Sequence, residues 1–288
     1  MTAVEPVQVE VSPDRSQAWT HFKDISYNDF GRSETLMPYK VCRMFESGRL
    51  LPMLRGFIDY PQIVNEHFGM FSFGLNLKFQ PALWKVPRGA SFPYKIHTRV
   101  VGVGRTSLNL QSRLINKLDG NELATLNLKY VYVNRHTGRS ATLPDWLVNK
   151  YTSTLGEKIS VDLPKTVPGV PLSAFSYDVM VAESDVDHNN HTNNASYIRF
   201  CSDAMHSAVK KGRLPRLEPD ASNFPLTGLQ AVYLGQSWMG DKLRVLLWQQ
   251  EDQQDSICFV IKRERKEQEA VIFYGCMVFG KAMVASRL

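Results

Sequence analysis

The 288-residue sequence predicts an α+β fold built twice, as two tandem domains that each hold a long central helix wrapped by an antiparallel β-sheet. Three observations carry this. The order strand, polar turn, helix, four strands runs once over residues 19–133 and again over 176–280, and self-similarity at a fixed spacing marks a repeated supersecondary unit. The two polar turns align Asp29 with Asp185, an offset of 156, and the same offset aligns Pro38 with Asn194 at the helix starts. Strand runs after the helices alternate apolar and polar residues, as in Leu126, Leu128, Tyr130 and Tyr132 against Thr125, Asn127, Lys129 and Val131. That alternation gives a sheet one buried face, which the helix covers.

Taken in order, residues 1–18 read as a tail, and a first domain spans 19–163. Within it, 19–27 reads as a strand and Asn28, Asp29, Phe30 and Gly31 as a turn. A helix over 38–51 has proline in its first turn and apolar groups at Val41, Met44, Phe45, Gly48 and Leu51. Pro52 is expected to end it. Strands follow at 75–79, 92–103, 108–117 and 122–133, with Asp119-Gly120 as a hairpin turn. Proline and glycine mark a linker over 164–175. The second domain, 176–280, holds a strand at 176–182 and a helix at about 194–211 whose inner side carries Tyr197, Ile198, Cys201, Met205, Ala208 and Val209. Strands at 229–234, 242–249, 256–263 and 270–280 complete it, and 281–288 read as a second tail.

Hydrophobic residues at 43% and charged residues at 22% are ordinary for a globular protein, so disorder is not the default expectation. The net charge of +6 suits an anionic partner. Nucleic acid is not expected, because no zinc knuckle, recognition helix or Arg-rich tract is present; a phosphorylated small molecule or carrier fits better. No run reaches membrane-spanning length. Cys42, Cys201, Cys258 and Cys276 lack metal or disulfide spacing and read as free thiols in a reducing compartment. The first 16 residues read as neither a secretory signal nor a transit peptide. The final Ser286-Arg287-Leu288 is a variant of the Ser-Lys-Leu address, so a peroxisomal location with its import receptor as partner is expected, and otherwise the cytoplasm.

The densest cluster of chemistry-bearing residues is 184–200, where two aspartates, two histidines and four asparagines lead into the second helix. Ser184, Asp185, Asp187, Asn189, His191, Asn193, Asn194 and Tyr197 fall on a pattern that resembles the second-repeat signature of plant and bacterial acyl-ACP thioesterases, which carry two hotdog domains in one chain. The resemblance implies the double-hotdog fold and hydrolysis of fatty acyl thioesters, with acyl-CoA preferred to acyl carrier protein given the peroxisome-like ending. No cofactor and no metal are expected, and a homodimer is one possible assembly.

Thioester hydrolysis needs an activated nucleophile and donors aimed at the developing oxyanion. If the turn is extended, Asp187, Asn189 and His191 point to one side, with Asp187 or His191 as general base and Asn189 orienting water or the carbonyl. Backbone N–H groups of Asn193, Asn194 and Ala195 could polarise that carbonyl. Asp185, Asn193 and Asn194 read equally well as turn and cap residues. His188 and His191 lack a third ligand and make a poor zinc site. A run resembling the family's Tyr-Arg-Arg-Glu-Cys is Tyr233, Leu234, Gly235, Gln236 and Ser237, which puts Gln236 at the acid's place and Ser237 at the cysteine's. A glutamine cannot take a proton at neutral pH. The first-copy turn has no His, so that domain is expected to be catalytically degenerate and to supply the acyl pocket through Met44, Phe45, Gly48 and residues 68–73. Two other readings stay open: an acyl-binding protein without turnover, favoured by Gln236, and a hotdog enoyl-CoA hydratase, opposed by the missing proline and the short Asp187–His191 spacing.

Overall fold

A computed structural model describes residues 7–156, 158–250, 255–265 and 268–281. The final Ser286-Arg287-Leu288 therefore lies outside the described residues. The chain divides into two compact units, one reaching Leu36 and resuming over Val41–Asp162, the other holding Met37–Lys40 and everything from Leu163 onward.

The first unit contains β1 (Gln8–Val11), β2 (Gln17–Phe22), most of α1 (Pro38–Leu54), a single turn α2 (Tyr60–Ile63), β3 (Phe68–Phe79), β4 (Tyr94–Val103), β5 (Ser107–Asn116), β6 (Glu122–Asn134) and α3 (Asp145–Thr154). Its strands run antiparallel in the order β1-β2-β4-β5-β6-β3. The expected alternation on β6 holds: Leu126, Leu128, Tyr130 and Tyr132 are buried, and their neighbours are not. The hairpin between β5 and β6 turns at Asp119-Gly120, with Gly120 at φ +75°, where a side chain would be strained. α1 lies against this sheet closely enough that a Cβ on Gly48 would fall 2.6 Å from Ile96 Cδ1.

Several elements depart from expectation: β3 starts at Phe68 rather than at residue 75, and β2 ends at Phe22 rather than at residue 27. Residues assigned to a tail form β1, which pairs with β2. The helix does not stop at Pro52; it continues to Leu54 with Pro52 inside. Proline removes the N–H that would meet the carbonyl of Gly48, and Thr20 Oγ1 donates to that carbonyl instead at 2.9 Å, so the last turn loses little. α3 carries no clear periodic signal, because Leu147 and Tyr151 are its only buried residues and Asn149, Thr152, Ser153 and Thr154 are weak helix formers. Tertiary contacts hold it: Lys150 Nζ and Tyr151 Oη donate to the buried Asp59 carboxylate at 2.7 and 2.9 Å, and Arg15 adds a third donor at 2.7 Å.

The second unit contains β7 (Phe175–Met180), α4 (Asn194–Lys210), β8 (Leu226–Tyr233), β9 (Lys242–Gln249), β10 (Ser256–Arg265) and β11 (Gln268–Phe279). The antiparallel order is β8-β11-β10-β9-β7. All six residues expected on the inner side of α4 are buried. Tyr197 stacks on Phe273 of β11 with ring centroids 5.7 Å apart, which fixes the helix over the sheet. On the opposite sheet face, Val232, Val260 and Tyr274 form a second cluster with Leu163 and Trp248 against it, and Tyr274 Oη donates to Pro164 O at 3.0 Å. The start of the expected linker is thus packed against the sheet.

The offset of 156 recurs in the backbone. α1 and α4 each have 17 residues, starting at Pro38 and Asn194. The 3-10 turns at Tyr27–Asp29 and Glu183–Asp185 keep the same offset, and so do the bridges Phe30↔Leu36 and Val186↔Thr192.

Candidate functional site

The polar turn is closed rather than extended, so the condition for Asp187, Asn189 and His191 to share one side by alternation is not met. Val186 and Thr192 pair across it, Asp187 N–H donates to His191 O at 3.0 Å, and Asn190 N–H to Asp187 O at 2.9 Å, with Asn190 at φ +60°. Asn tolerates that left-handed conformation better than most residues. Closure brings Asp187 and His191 together: His191 Nδ1 lies 3.9 Å from Asp187 Oδ1, and each side chain is 16% exposed. It does not align Asn189 with them by alternation, because alternation needs extended backbone. Asn189 sits exposed at the tip, and its backbone N–H donates to Asp187 Oδ1 at 2.8 Å. His188 is also exposed.

The imidazole has two different sides. Nδ1 faces the Asp187 carboxylate and the Thr192 carbonyl, which is 3.4 Å away. Nε2 is buried and has no hydrogen-bond partner among the described residues. Buried polar atoms are normally paired, so an orphan one asks for a partner that binds there.

The start of α4 sorts its donors. Asn193 is the N-cap: its side chain accepts from Ala195 N–H at 2.8 Å, and its own N–H donates to Asp185 O at 2.8 Å. Those two N–H groups are therefore occupied, while Asn194 N–H donates to no acceptor among the described residues. An N-terminal helix N–H with no internal acceptor is a natural anion donor. Asp185 is 3% exposed, pairs with Arg199 and accepts Ala182 N–H at 3.0 Å. Arg199 reaches on to Asp203 at 3.0 Å, so Asp185 is a structural anchor between turn and helix.

A buried hydroxyl cluster joins the turn to the segment after β8. Thr192 N–H donates to Ser237 O at 2.8 Å, Thr192 Oγ1 and Ser237 Oγ lie 2.7 Å apart, and Tyr197 Oη is 2.9 Å from Ser237 Oγ and accepts Ser237 N–H at 3.1 Å. Burial raises the Tyr197 phenol above its ordinary range, so it stays protonated as a donor. Ser237 is fully buried with its hydroxyl inside this cluster. Gln236 therefore adjoins a residue bonded to the neighbour of His191. Its carbonyl accepts from Arg263, and its side-chain amide makes no hydrogen bond among the described residues. Trp238, next along, carries Arg263 and Arg265 over its ring at 5.0 and 4.4 Å.

The sequence assigns no role to Thr192 or Arg263, and Tyr197 reads from it as an inner-face and signature residue rather than as a member of this cluster. Thr192 and Arg263 act on residues 45 and 27 positions away, and no local pattern signals such pairing. Met44, Phe45 and Gly48 lie on the buried side of α1 in the first unit. A cavity of about 220 Å³ in that unit is lined by other residues, among them Gln17, Arg99 and Thr154. Residues 68–73 are the first half of β3, with a register break between Ser72 and Gly74 that leaves Phe73 37% exposed.

The first-copy turn has the same backbone and different chemistry. Gly31 N–H donates to Thr35 O at 2.8 Å and Glu34 N–H to Gly31 O at 3.1 Å, with Glu34 at φ +59°. Gly31, Ser33 and Thr35 stand where the second copy has Asp187, Asn189 and His191, so carboxylate and imidazole are both missing.

No protein-family model matches the sequence, and no curated protein matches it at a significant level. Solved structures do match over nearly the whole chain. An acyl-ACP thioesterase from Bacteroides thetaiotaomicron aligns with a TM-score of 0.69 at 15% identity, covering 94% of this chain and 100% of its own. The 12:0-ACP thioesterase from Umbellularia californica aligns with a TM-score of 0.69 at 13% identity, covering 92% and 97%. The fold is thus the α+β double hotdog of the acyl-ACP thioesterase structures, two helix-and-sheet domains in one chain.

Proposed function

We propose that the protein is a thioesterase that hydrolyses fatty acyl thioesters to the free acid and thiol, through the 187–194 segment of the second unit. One observation carries the reading: within three residues of each other, a buried imidazole nitrogen and a helix-opening N–H lack partners, and the other imidazole nitrogen faces a carboxylate. Asp187 holds His191 with Nδ1 protonated, leaving Nε2 as the base. Nε2 takes a proton from water as the water oxygen attacks the carbonyl carbon, and Asn194 N–H donates to the oxyanion. Collapse breaks the C–S bond, and the proton on Nε2 passes to the leaving sulfur. Gln236 orients the water or carbonyl rather than accepting a proton.

The matched structures support acyl thioesters as the substrate class. Acyl-CoA as carrier rests on Ser286-Arg287-Leu288 acting as a peroxisomal address, which is checked separately by localising the chain with and without those residues. Thiol release from acyl-CoAs and acyl-ACPs of graded chain length, beside Gln236→Glu, tests the reaction and the carrier together. Turnover of acyl-CoA that is retained or raised in Gln236→Glu supports the reading. Saturable binding with no thiol released from any carrier favours instead an acyl-binding protein, the alternative to which Gln236 lends weight.

A further inference from the structure

Cys258 and Cys276 are 18 residues apart in sequence and show no disulfide spacing, yet β10 and β11 set them directly opposite each other. The hydrogen-bond phase of this ladder decides what that means. Phe279 N–H donates to Asp255 O at 2.9 Å, and Gln250 N–H donates to Ser256 O at 3.1 Å. Ser256 thus directs its backbone groups to the β9 side, and by alternation so does Cys258. Cys258 and Cys276 are therefore a non-hydrogen-bonded pair. In such pairs the Cα atoms stand about 4.5 Å apart with side chains at their closest, inside the roughly 4.4–6.8 Å window of a disulfide.

The two side chains lie on the sheet face opposite α4, since Phe273, which stacks on Tyr197, alternates with Tyr274 and Cys276 shares the Tyr274 face. They adjoin Trp248 and Gln230 across the neighbouring ladders and are half-buried, so small solutes reach them. Ser256 Oγ is 2.7 Å from Cys276 Sγ. The neighbouring Cys258 thiol, with Ser256 assisting and burial opposing, holds Cys276 below the ordinary thiol range, while Cys276 and burial raise Cys258, whose Sγ donates to Gln250 Oε1 at 3.8 Å. One sulfur is thus the better nucleophile and the other keeps its proton beside it. The other two thiols are poor reactants: burial pushes Cys42 up to about 12 and Cys201 well above its ordinary value.

We propose that Cys258 and Cys276 are a site of reversible oxidation, which a hydroperoxide converts to an intramolecular disulfide between β10 and β11. The Cys276 thiolate sulfur attacks a peroxide oxygen, the O–O bond breaks, and the departing oxygen leaves as water after taking a proton. Cys276 is then a sulfenic acid. The Cys258 sulfur attacks the Cys276 sulfur, the S–O bond breaks, and the hydroxyl leaves as water with the Cys258 proton. Two thiols lose two electrons in all, and one hydrogen peroxide becomes two waters. This site is separate from the thioesterase reading and stands without it.

The full chain is exposed to hydrogen peroxide, free thiols are alkylated, and peptides are mapped by mass spectrometry without reduction. The expected product is a 258–276 cross-linked peptide, lighter by two hydrogens, that a dithiol reductant returns to two alkylatable cysteines. In Cys258→Ser, dimedone should trap a sulfenic acid at Cys276; in Cys276→Ser, oxidation of Cys258 should slow by roughly tenfold or more as the thiolate is lost. The wild-type map needs no variant to fold. Recovery of both cysteines as alkylated thiols, oxidation of Cys276 past the sulfenic state without a cross-link, or a cross-link to Cys42 or Cys201 overturns the proposal.

Discussion

Asp187 and Gly31 occupy the same place in two turns of one backbone shape, and only Asp187 sets a carboxylate beside an imidazole, 3.9 Å from His191 Nδ1. His191 reads as a candidate site residue from its neighbours, but the geometry that sets it beside Asp187 does not follow from them. The sequence suggested alternation along an extended run, whereas the pairing comes from turn closure at Asn190, whose φ of +60° no periodicity announces. A second histidine illustrates how environment sets protonation. His97 on β4 is the cross-strand partner of Trp19, stacked on it at 4.9 Å, and lies 3.0 Å from Gln17 Oε1 through Nε2. Burial, with Arg113, Arg99 and Lys95 adding repulsion, lowers His97 from 6.5 to about 4. The unfolded chain therefore binds this proton at higher pH than the folded one. The contribution of His97 is complete above about pH 6.5 and is lost as pH falls from there toward about 4. Denaturant midpoints across that window should show less acid loss in His97→Phe, which keeps the stacking; an unchanged slope would contradict the assignment.

At the scale of elements, the helices and most strands followed from their periods, and the misses share a cause. β1 and α3 have little buried apolar surface of their own, so their signals are weak, and ladder pairing or the Asp59 cluster decides them instead. The local rule ends the helix at Pro52, but a threonine 32 residues upstream satisfies the carbonyl that the rule assumes is orphaned. Gly48 of α1 has a sharper requirement than its helical position suggests. The matching position of α4 holds the buried Ala204, while Gly48 faces Ile96 with no room for a Cβ. Gly48→Ala should therefore destabilise by about 1–3 kcal/mol despite its better helix propensity, read as a lower denaturant midpoint. A rise in the midpoint would mean that Ile96 moves aside freely.

For the molecule as a whole, duplication explains both the legibility of the fold and the asymmetry of the chemistry. The 156-residue offset survives in paired helices, 3-10 turns and bridges although few residues match, because pattern and turn geometry constrain a chain more loosely than identity does. Two copies of one backbone let one carry Gly31 and Thr35 where the other carries Asp187 and His191. The hydroxyl cluster of Thr192, Tyr197 and Ser237 was not legible, since its members meet only once the segment after β8 closes against α4. The most direct test compares the two turns in one assay, thiol release from a long-chain acyl thioester by wild type, His191→Ala and Thr35→Ala. A lone base at His191 predicts a loss on the order of 10²–10⁴ in kcat for His191→Ala, with Thr35→Ala near wild type. Equal turnover in all three would contradict it.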